Sequence, residues 1–469
     1  MRRPPCRRRL GDHHLQGGHP ALRRPRMIYV WIVALVAATS GLLFGFDVAV
    51  INGAIVFLKK QWALTEFETE LATSMLLIGC IAGAAFSGWF SDRYGRRIVL
   101  MASAVLFAAS ALGAALPRNL IEFSVARILG GVAIGAASVL APLYIAEVAP
   151  ARLRGRLVSL NQMAIVTGIL LAYFTNWVLS FQGDQSWRWM FAVAAAPALF
   201  FLAALFFVPE SPRWLVEMGR EAEALRVLSR VNGQSVAEAE LVQIRAAVAE
   251  ESGAWKELFE PGIRRALFIA IVLAVMQQWS GVNTVLFYGS IILQDKVGGH
   301  TASAAIGANV LIGVINFLFT IVAIALIDRV GRKALLIFSS TMMGLSLAGL
   351  ALVFRMTPPP APMVIGLMLM CVASFAVGLG PGVWVVLSEI FPNRIRGRAM
   401  SIATLSLWVA CTVLTMTFLS ITSALGPTGA FCIYAAMCAF TAWFVWRFTP
   451  ETKSRTLEEI EGFWRQHKP

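Results

Sequence analysis

The chain has 469 residues, of which 58% are apolar and only 14% charged, and its mean hydropathy is +0.71. A water-soluble protein is usually about a quarter charged, so this composition excludes a soluble enzyme and indicates a chain that lies mostly in lipid. The formal net charge of +14 does not indicate nucleic acid as a partner, because the basic residues are spread over a tail and many short loops.

Twelve apolar segments are long enough to span a bilayer, which takes roughly 20 residues as a helix. Backbone groups in lipid need hydrogen-bond partners within the protein, so each segment is predicted to be helical. The fold is therefore predicted to be an all-α membrane protein with the lipid bilayer as a partner. The predicted spans are 28–58, 69–91, 98–116, 121–147, 157–180, 188–208, 265–292, 303–327, 334–354, 363–388, 399–421 and 429–448.

A polar segment divides the spans into two sets of six. Apolar residues recur in it at helical spacing, which predicts short amphipathic helices. The tail is interpreted either as disordered or as an over-long start assignment, because Met27 comes directly before the first span. The predicted parts are the basic tail 1–26, a six-helix bundle 27–208, a linker 209–264, a second six-helix bundle 265–448 and a tail 449–469.

Positive charge alternates between successive loops. The loops SDRYGRR, ARLRGR, DRVGRK and NRIRGR and the linker are basic, whereas PRN, QGDQS and MTPPPAP are nearly neutral. By the positive-inside rule, this alternation predicts a multi-pass protein of the cell membrane, inner or plasma, with both termini in the cytoplasm.

Three charged motifs occur twice in the same order. SGWFSDRYGRR is repeated as AIALIDRVGRK, EVAPARLRGR as EIFPNRIRGR, and PESPR as PETKSR, each about half a chain further on. The matches fall in charged loops and not in the apolar parts, so they predict duplication of one membrane unit, as in many secondary transporters.

Motifs of enzymes and pumps are absent from the sequence. There is no phosphate-cradling GxxxxGK[ST] run, no nucleophile elbow and no His/Cys ligand set. The six cysteines show no metal spacing and are predicted to pack without disulfides. The chain is predicted to be neither an enzyme nor a cofactor or metal protein, and its transport is predicted to be driven by a gradient.

The motifs resemble the sugar porter family of the major facilitator superfamily from about residue 28 to 460. They are the duplicated D-R-x-G-R-[RK], PESPRWL, QQWSGVNTVLFY, GPGVWVVLSEIFP and the long run RILGG…LRGR. Members include bacterial proton-coupled xylose and glucose symporters and facilitative glucose transporters. The resemblance implies two pseudo-symmetric six-helix bundles, a sugar site between them and alternating access.

Isolated amides in apolar helices are candidates for the sugar site, because an amide both donates and accepts hydrogen bonds, as sugar hydroxyls require. Three of them lie within two turns of one predicted helix, and the alternative is that they tie helices together. Trp384 follows GLGPG (378–382), a run that weakens the predicted helix. The resemblance implies that Trp384 stacks on the sugar ring, and the alternative is an ordinary packing tryptophan. The candidate substrate-binding residues are Gln162, Gln277, Gln278, Asn283, Asn316 and Trp384.

Further roles follow from the resemblance. Phe287 and Tyr288 match outer-gate aromatics. Leu407 and Ile169 replace amides found in some relatives, and their effect on specificity is open.

The charged residues at the cytoplasmic helix ends are either topology and capping residues or, by the resemblance, ion pairs between the halves that hold the outward-open state. Such charges are individually weak but act together as a network. They are Asp92, Arg96, Arg97, Glu147, Arg154, Glu210, Arg213, Asp328, Arg332, Glu389 and Arg396.

Asp47 and Arg127 are the acid and the base placed deep within spans, where a charge is costly and by default a functional candidate. Counting residues from the helix entries puts both in the outer half of the membrane. Proton symporters of the family carry an aspartate at the end of FG-[FY]-D, and the run here is FGFD. The pair is the candidate proton-coupling site, with a structural ion pair as the alternative.

The function predicted is proton-coupled import of a monosaccharide (a hexose, pentose or related polyol), with the sugar and the proton as partners and the monomer as functional unit. The alternatives are a facilitative sugar uniporter and a sugar sensor. The sequence leaves open which sugar is carried and the oligomeric state.

Overall fold

The computed structural model describes residues 27–150, 153–250, 255–297, 301–391, 395–451 and 453. Helices dominate these ranges, and no strand occurs in them. The predicted tail 1–26 and most of the tail 449–469 lie outside the described residues.

Within the described ranges, the first half and the connector contain ten α-helices. They are α1 (Met27–Gln61), α2 (Glu66–Tyr94), α3 (Arg96–Ala115), α4 (Leu120–Val148), α5 (Arg154–Leu179), α6 (Ser186–Ala192), α7 (Ala195–Leu205), α8 (Pro212–Glu217), α9 (Glu221–Asn232) and α10 (Gln234–Glu250).

The described part of the second half contains seven more. They are α11 (Pro261–Trp279), α12 (Val282–Ile291), α13 (Ala302–Val330), α14 (Arg332–Val353), α15 (Ala361–Val377), α16 (Leu379–Glu389) and α17 (Arg396–Phe448).

Local sequence explains where the helices begin. At α2, the hydroxyl of Thr65 accepts the Glu68 N–H at 3.3 Å, and the Glu68 carboxylate accepts the Thr65 N–H at 2.9 Å. This reciprocal capping satisfies donors that a helix start leaves free. At α13 the cap is one-sided: the hydroxyl of Thr301 accepts the N–H of Ala304 at 3.3 Å.

Eleven helical segments in the described part of the chain are long and apolar enough to cross a membrane. The last, within α17, contains two predicted spans, because the chain turns at Gly426 (φ 71°) before Pro427. The spans predicted at 188–208, 265–292 and 363–388 are each divided between two helices, α6/α7, α11/α12 and α15/α16. The prediction of an all-α fold with twelve membrane helices is confirmed.

The two halves contain the duplicated motifs in the same geometry. Gly95 and Gly331 have φ values of 98° and 101°, and each separates two membrane helices. The helix after Gly95 has its first N–H groups capped by Glu210, and the helix after Gly331 by Glu451. PESPR and PETKSR therefore supply equivalent caps, as expected of a duplicated unit.

We name the two ends of the helices by their residues. The motif face carries Gly95, Gly331 and the connector α8–α10, and the far face carries the turns 62–65 and 180–185. Lys60 and Asp184 pair at the far face at 2.8 Å. The halves touch through α2 against α17, α5 against α13 and α1 against α12.

Candidate functional site

Two interrupted helices supply the centre of the candidate site. Gly281, between α11 and α12, has φ 83°, a left-handed conformation that glycine adopts at little cost. The prediction that Gln277, Gln278 and Asn283 share one helix is therefore wrong, because the break puts Asn283 on α12. The second break, at Gly378 between α15 and α16, lies where GLGPG predicts a weakened helix.

The three amides nevertheless form one hydrogen-bonded chain at the break. The Gln277 amide nitrogen donates to the carbonyls of Leu379 and Gly380 at 2.8 and 3.0 Å. Gln278 donates to the Gln277 side-chain oxygen at 3.1 Å, and Asn283 donates to that of Gln278 at 2.5 Å. Gln277 thus ties α11 to α16, and the chain orients Gln278 and Asn283.

The other candidate sugar ligands have unengaged polar groups. Asn316 on α13 is buried, and Gln162 on α5 and Trp384 on α16 are half-buried. Among the described residues, none of these three side chains has a hydrogen-bond partner. Their amide and indole groups are free to bind a ligand, and no described hydrogen bond connects them to the chain of amides.

Trp408 on α17 was not among the predicted site residues. Its indole N–H is buried without a partner in the described part of the chain, and its ring centroid lies 5.6 Å from that of Phe44 in the other half. Leu407 and Ile169 are both buried apolar residues of the core.

The far face is where side chains join the two halves. Asn52 of α1 donates to the carbonyl of Leu286 at 2.7 Å and accepts the N–H of Ser290 at 3.1 Å. Asn309 of α13 donates to the Ser290 hydroxyl at 3.0 Å. Tyr173 of α5 donates to the Leu286 carbonyl at 2.9 Å. These buried bonds close the far face between α1, α5 and the α12–α13 pair.

The predicted gate aromatics lie in this closed region. Phe287 and Tyr288 are both buried on α12. Tyr288 donates to the carbonyl of Thr415 at 2.7 Å and stacks on Phe418, with ring centroids 5.2 Å apart. Both contacts are with α17 of the same half.

Asp47 and Arg127 form the predicted ion pair. Arg127 is fully buried and donates to an Asp47 carboxylate oxygen and, at 2.9 Å, to the Asp47 carbonyl. The Phe191 ring lies 5.1 Å from the guanidinium carbon. The carboxylate, the carbonyl and the ring face compensate the guanidinium in part for its burial.

At the motif face, Arg96 is the centre of the first half's charges. It lies 3.2 Å from Glu147, 3.4 Å from Glu217 and 3.5 Å from Asp92. Arg213 also pairs with Glu217, at 3.4 Å. In the second half, Arg332 and Glu389 repeat the Arg96–Glu147 pair, at 2.9 Å.

The expectation was of ion pairs between the halves, whereas each described pair of this network joins residues of one half or its connector. The expectation concerned the outward-open state, in which the halves close at the motif face, so pairs between the halves stay a prediction. The side chains of Arg154, Asp328 and Arg396 lie outside the part that the structure describes.

Arg97 and Glu210 form hydrogen bonds with backbone groups at helix ends. Arg97 donates to the carbonyls of Leu205 and Phe206 at 2.8 and 3.0 Å, where α7 ends. Burial raises the pKa of Glu210, and backbone N–H donors of Ser211 and Arg97 partly oppose this. Burial likewise raises the pKa of Glu217, with Arg96 acting against it.

Metal-ligating side chains do not cluster in the described ranges, where no group of three or more His, Cys, Asp or Glu could hold an ion. The five cysteines within those ranges are free thiols.

Residues 33–464 match the protein family described as "Sugar (and other) transporter". The chain belongs to this family. It is 40% identical to the arabinose-proton symporter of Bacillus subtilis (strain 168), over 96% of this chain and 98% of that protein. It is 38% identical to the D-xylose-proton symporter of Escherichia coli (strain K12), over 93% and 96%.

A solved structure supports the same membership. A partially occluded inward open conformation of the xylose transporter from Escherichia coli matches with a TM-score of 0.82 and 36% identity, covering 92% of this chain and 100% of that one. The major facilitator fold is thereby confirmed, and the chain is a multi-pass membrane transporter.

In this member of the sugar transporter family, the residues missed from the sequence include several that contact the opposite half: Asn52, Glu70, Tyr173, Asn309, Ser420 and Trp408. Each is a polar or indole side chain within an apolar run, which was a usable signal. Which of them face one another depends on how the halves pack.

Proposed function

We propose that this chain imports a monosaccharide together with protons, by alternating access between its two halves. The similarity to proteins named as arabinose-proton and xylose-proton symporters supports this. The substrate class is a hexose, pentose or related polyol, and the working unit is one chain.

The buried Asp47–Arg127 pair carries the proton part of the proposal. A carboxylate in a low-dielectric site is stabilised by a neighbouring guanidinium and takes up a proton when the two separate. A rearrangement of α1 against α4 then links proton uptake and release to the opening of the halves. A uniporter has no need of such a buried acid.

The sugar site in this proposal lies between the halves. Four amides bind the hydroxyl groups of the sugar, namely those of Gln162, Gln278, Asn283 and Asn316. Trp384 stacks on the sugar ring. Gln277 belongs to the same site and holds the broken helices together. Phe287 and Tyr288 form the outer gate, because they lie toward the far face.

Orientation completes the proposal. The basic motif face is cytoplasmic in the cell membrane, with both termini on that side, so the conformation described is closed outward. The charged residues of the motif face exchange partners when the halves close there. The two bundles 27–208 and 265–448 move as units, joined by the linker.

Purified protein in proteoliposomes tests the function. Labelled pentoses, hexoses and polyols are offered under an imposed inward proton gradient, with and without an uncoupler. Accumulation above equilibrium that the uncoupler abolishes is the expected result. Uptake that only equilibrates, whatever the gradient, would establish a uniporter instead.

A further inference from the structure

Three buried side-chain atoms around the Asp47–Arg127 pair have no hydrogen-bond partner. They are the second carboxylate oxygen of Asp47 (Oδ2), Nε of Arg127 and the hydroxyl of Ser110 on α3. The Ser110 residue is 1% exposed. Buried polar atoms are nearly always hydrogen-bonded, so such a cluster marks a place where a bond forms in another state or where water binds.

Gly130 on α4 brings two of these atoms to the same point. A Cβ atom on Gly130 would lie 2.4 Å from the Ser110 hydroxyl oxygen and 3.0 Å from Asp47 Oδ2. The two free oxygens therefore flank the space that a side chain at residue 130 would fill. Only glycine leaves this space open.

We infer that Ser110 is a positioning residue of the proton site, whose hydroxyl donates to Asp47 Oδ2, directly or through one water over Gly130. This rests on the proposed role of Asp47. A hydroxyl both donates and accepts, so Ser110 donates to the carboxylate and, once the coupling proton from solution has bound Oδ2, accepts from the acid.

Removing the Ser110 hydroxyl changes the balance between the carboxylate and the acid form of Asp47 in favour of the acid. Bonds to a charged group are roughly twice as strong as neutral ones, so the carboxylate loses more than the acid. The other ionisable groups near Asp47 are Arg127 on α4 and the Cys80 thiol on α2, with Cys411 of α17 near Cys80. Ser110→Ala leaves these in place.

The test is the pH dependence of proton-driven sugar accumulation by the full chain in proteoliposomes. In Ser110→Ala the midpoint is expected about 1 pH unit higher, which is a tenfold shift of the protonation equilibrium, because the carboxylate loses a stronger bond than the acid does. Ser103→Ala is the matched control: Ser103 lies two turns earlier on α3, and its hydroxyl already donates to the Val99 carbonyl at 3.0 Å.

A second pair of variants tests the space itself. Gly130→Ala is expected to displace Ser110 and to move the midpoint in the same direction. Gly88→Ala, whose Cβ would meet open space, is expected to move nothing. Infrared difference spectroscopy measures the band of the protonated carboxyl group. Ser110→Ala is expected to shift this band when Asp47 is present, and it cannot do so in an Asp47→Asn background.

The outcomes separate the two proposals. If Ser110→Ala leaves the midpoint and the band unchanged while Asp47→Asn abolishes accumulation, the inference is overturned and the proposed function stands. If Asp47→Asn still concentrates sugar, the proposed coupling site fails and the role of Ser110 fails with it.

Discussion

Glu70 of α2 and Ser420 of α17 join the two halves through a single carboxylate. The Ser420 N–H donates to one oxygen of Glu70 at 2.9 Å, and the Ser420 hydroxyl donates to the other at 2.6 Å. Glu70 is fully buried at this point, four residues after the start of its helix. Together with Asn52 and its partners, this contact stabilises closure of the far face.

Glu70→Gln is expected to raise the population open at the far face by about tenfold, since bonds to a charged acceptor are worth about 1.5–3 kcal/mol and part of this is lost. The measurement is the labelling rate of a cysteine at Thr422, a buried residue of α17, by an impermeant maleimide in a Cys432→Ser background. Glu66→Gln, on an exposed carboxylate one turn earlier, is the control. Equal labelling in both variants would rule out a role of Glu70 in closure.

Gln277→Ala is expected to weaken sugar binding by about tenfold, because the amide chain loses its anchor and each bond is worth about 1 kcal/mol. Binding is measured by titration calorimetry with the best sugar of the panel. The control is Gln61→Ala, which removes an amide that bonds the Trp187 indole at the far face, at 2.8 Å. If both variants lower stability alike and neither changes affinity, Gln277 acts only as a helix tie.

Asp47→Asn is expected to abolish uphill accumulation while sugar counterflow continues, because an amide cannot take up and release a proton. Both are measured in the same proteoliposome preparation, with Glu122→Gln as the control on an exposed carboxylate in the first turn of α4. Persistent accumulation in Asp47→Asn under an imposed pH gradient would falsify the coupling role.

Glu147→Gln is expected to lower the free energy of unfolding by about 2 kcal/mol, because Arg96 loses a buried partner but keeps Glu217. Asp184→Asn removes the exposed partner of Lys60 and is expected to leave stability unchanged. Thermal melting in detergent compares the two. A similar small effect for both would mean that Arg96 is adequately held by Glu217 and Asp92.

The number and limits of the membrane helices were predictable, because hydropathy and charge act locally along the chain. The repeat of PESPR as PETKSR was also predictable, whereas the equivalent caps that Glu210 and Glu451 form were found only in the structure. The break at Gly281 was missed, because SG within an otherwise apolar run carries no proline. The close approach of Tyr434, whose Cβ would lie 2.9 Å from a Cβ at residue 281, arises only in the folded chain.

The sequence by itself determined the architecture, the candidate amides and the pairing of Asp47 with Arg127, because depth in a membrane helix follows from counting residues. Only the tertiary structure decided that Glu70 contacts Ser420, that Arg96 pairs within its own half, and that Ser110 and Asp47 flank Gly130. These are contacts between helices distant in sequence. They depend on how the helices tilt and rotate against one another, both within a bundle and between the two, and no local pattern contains that information.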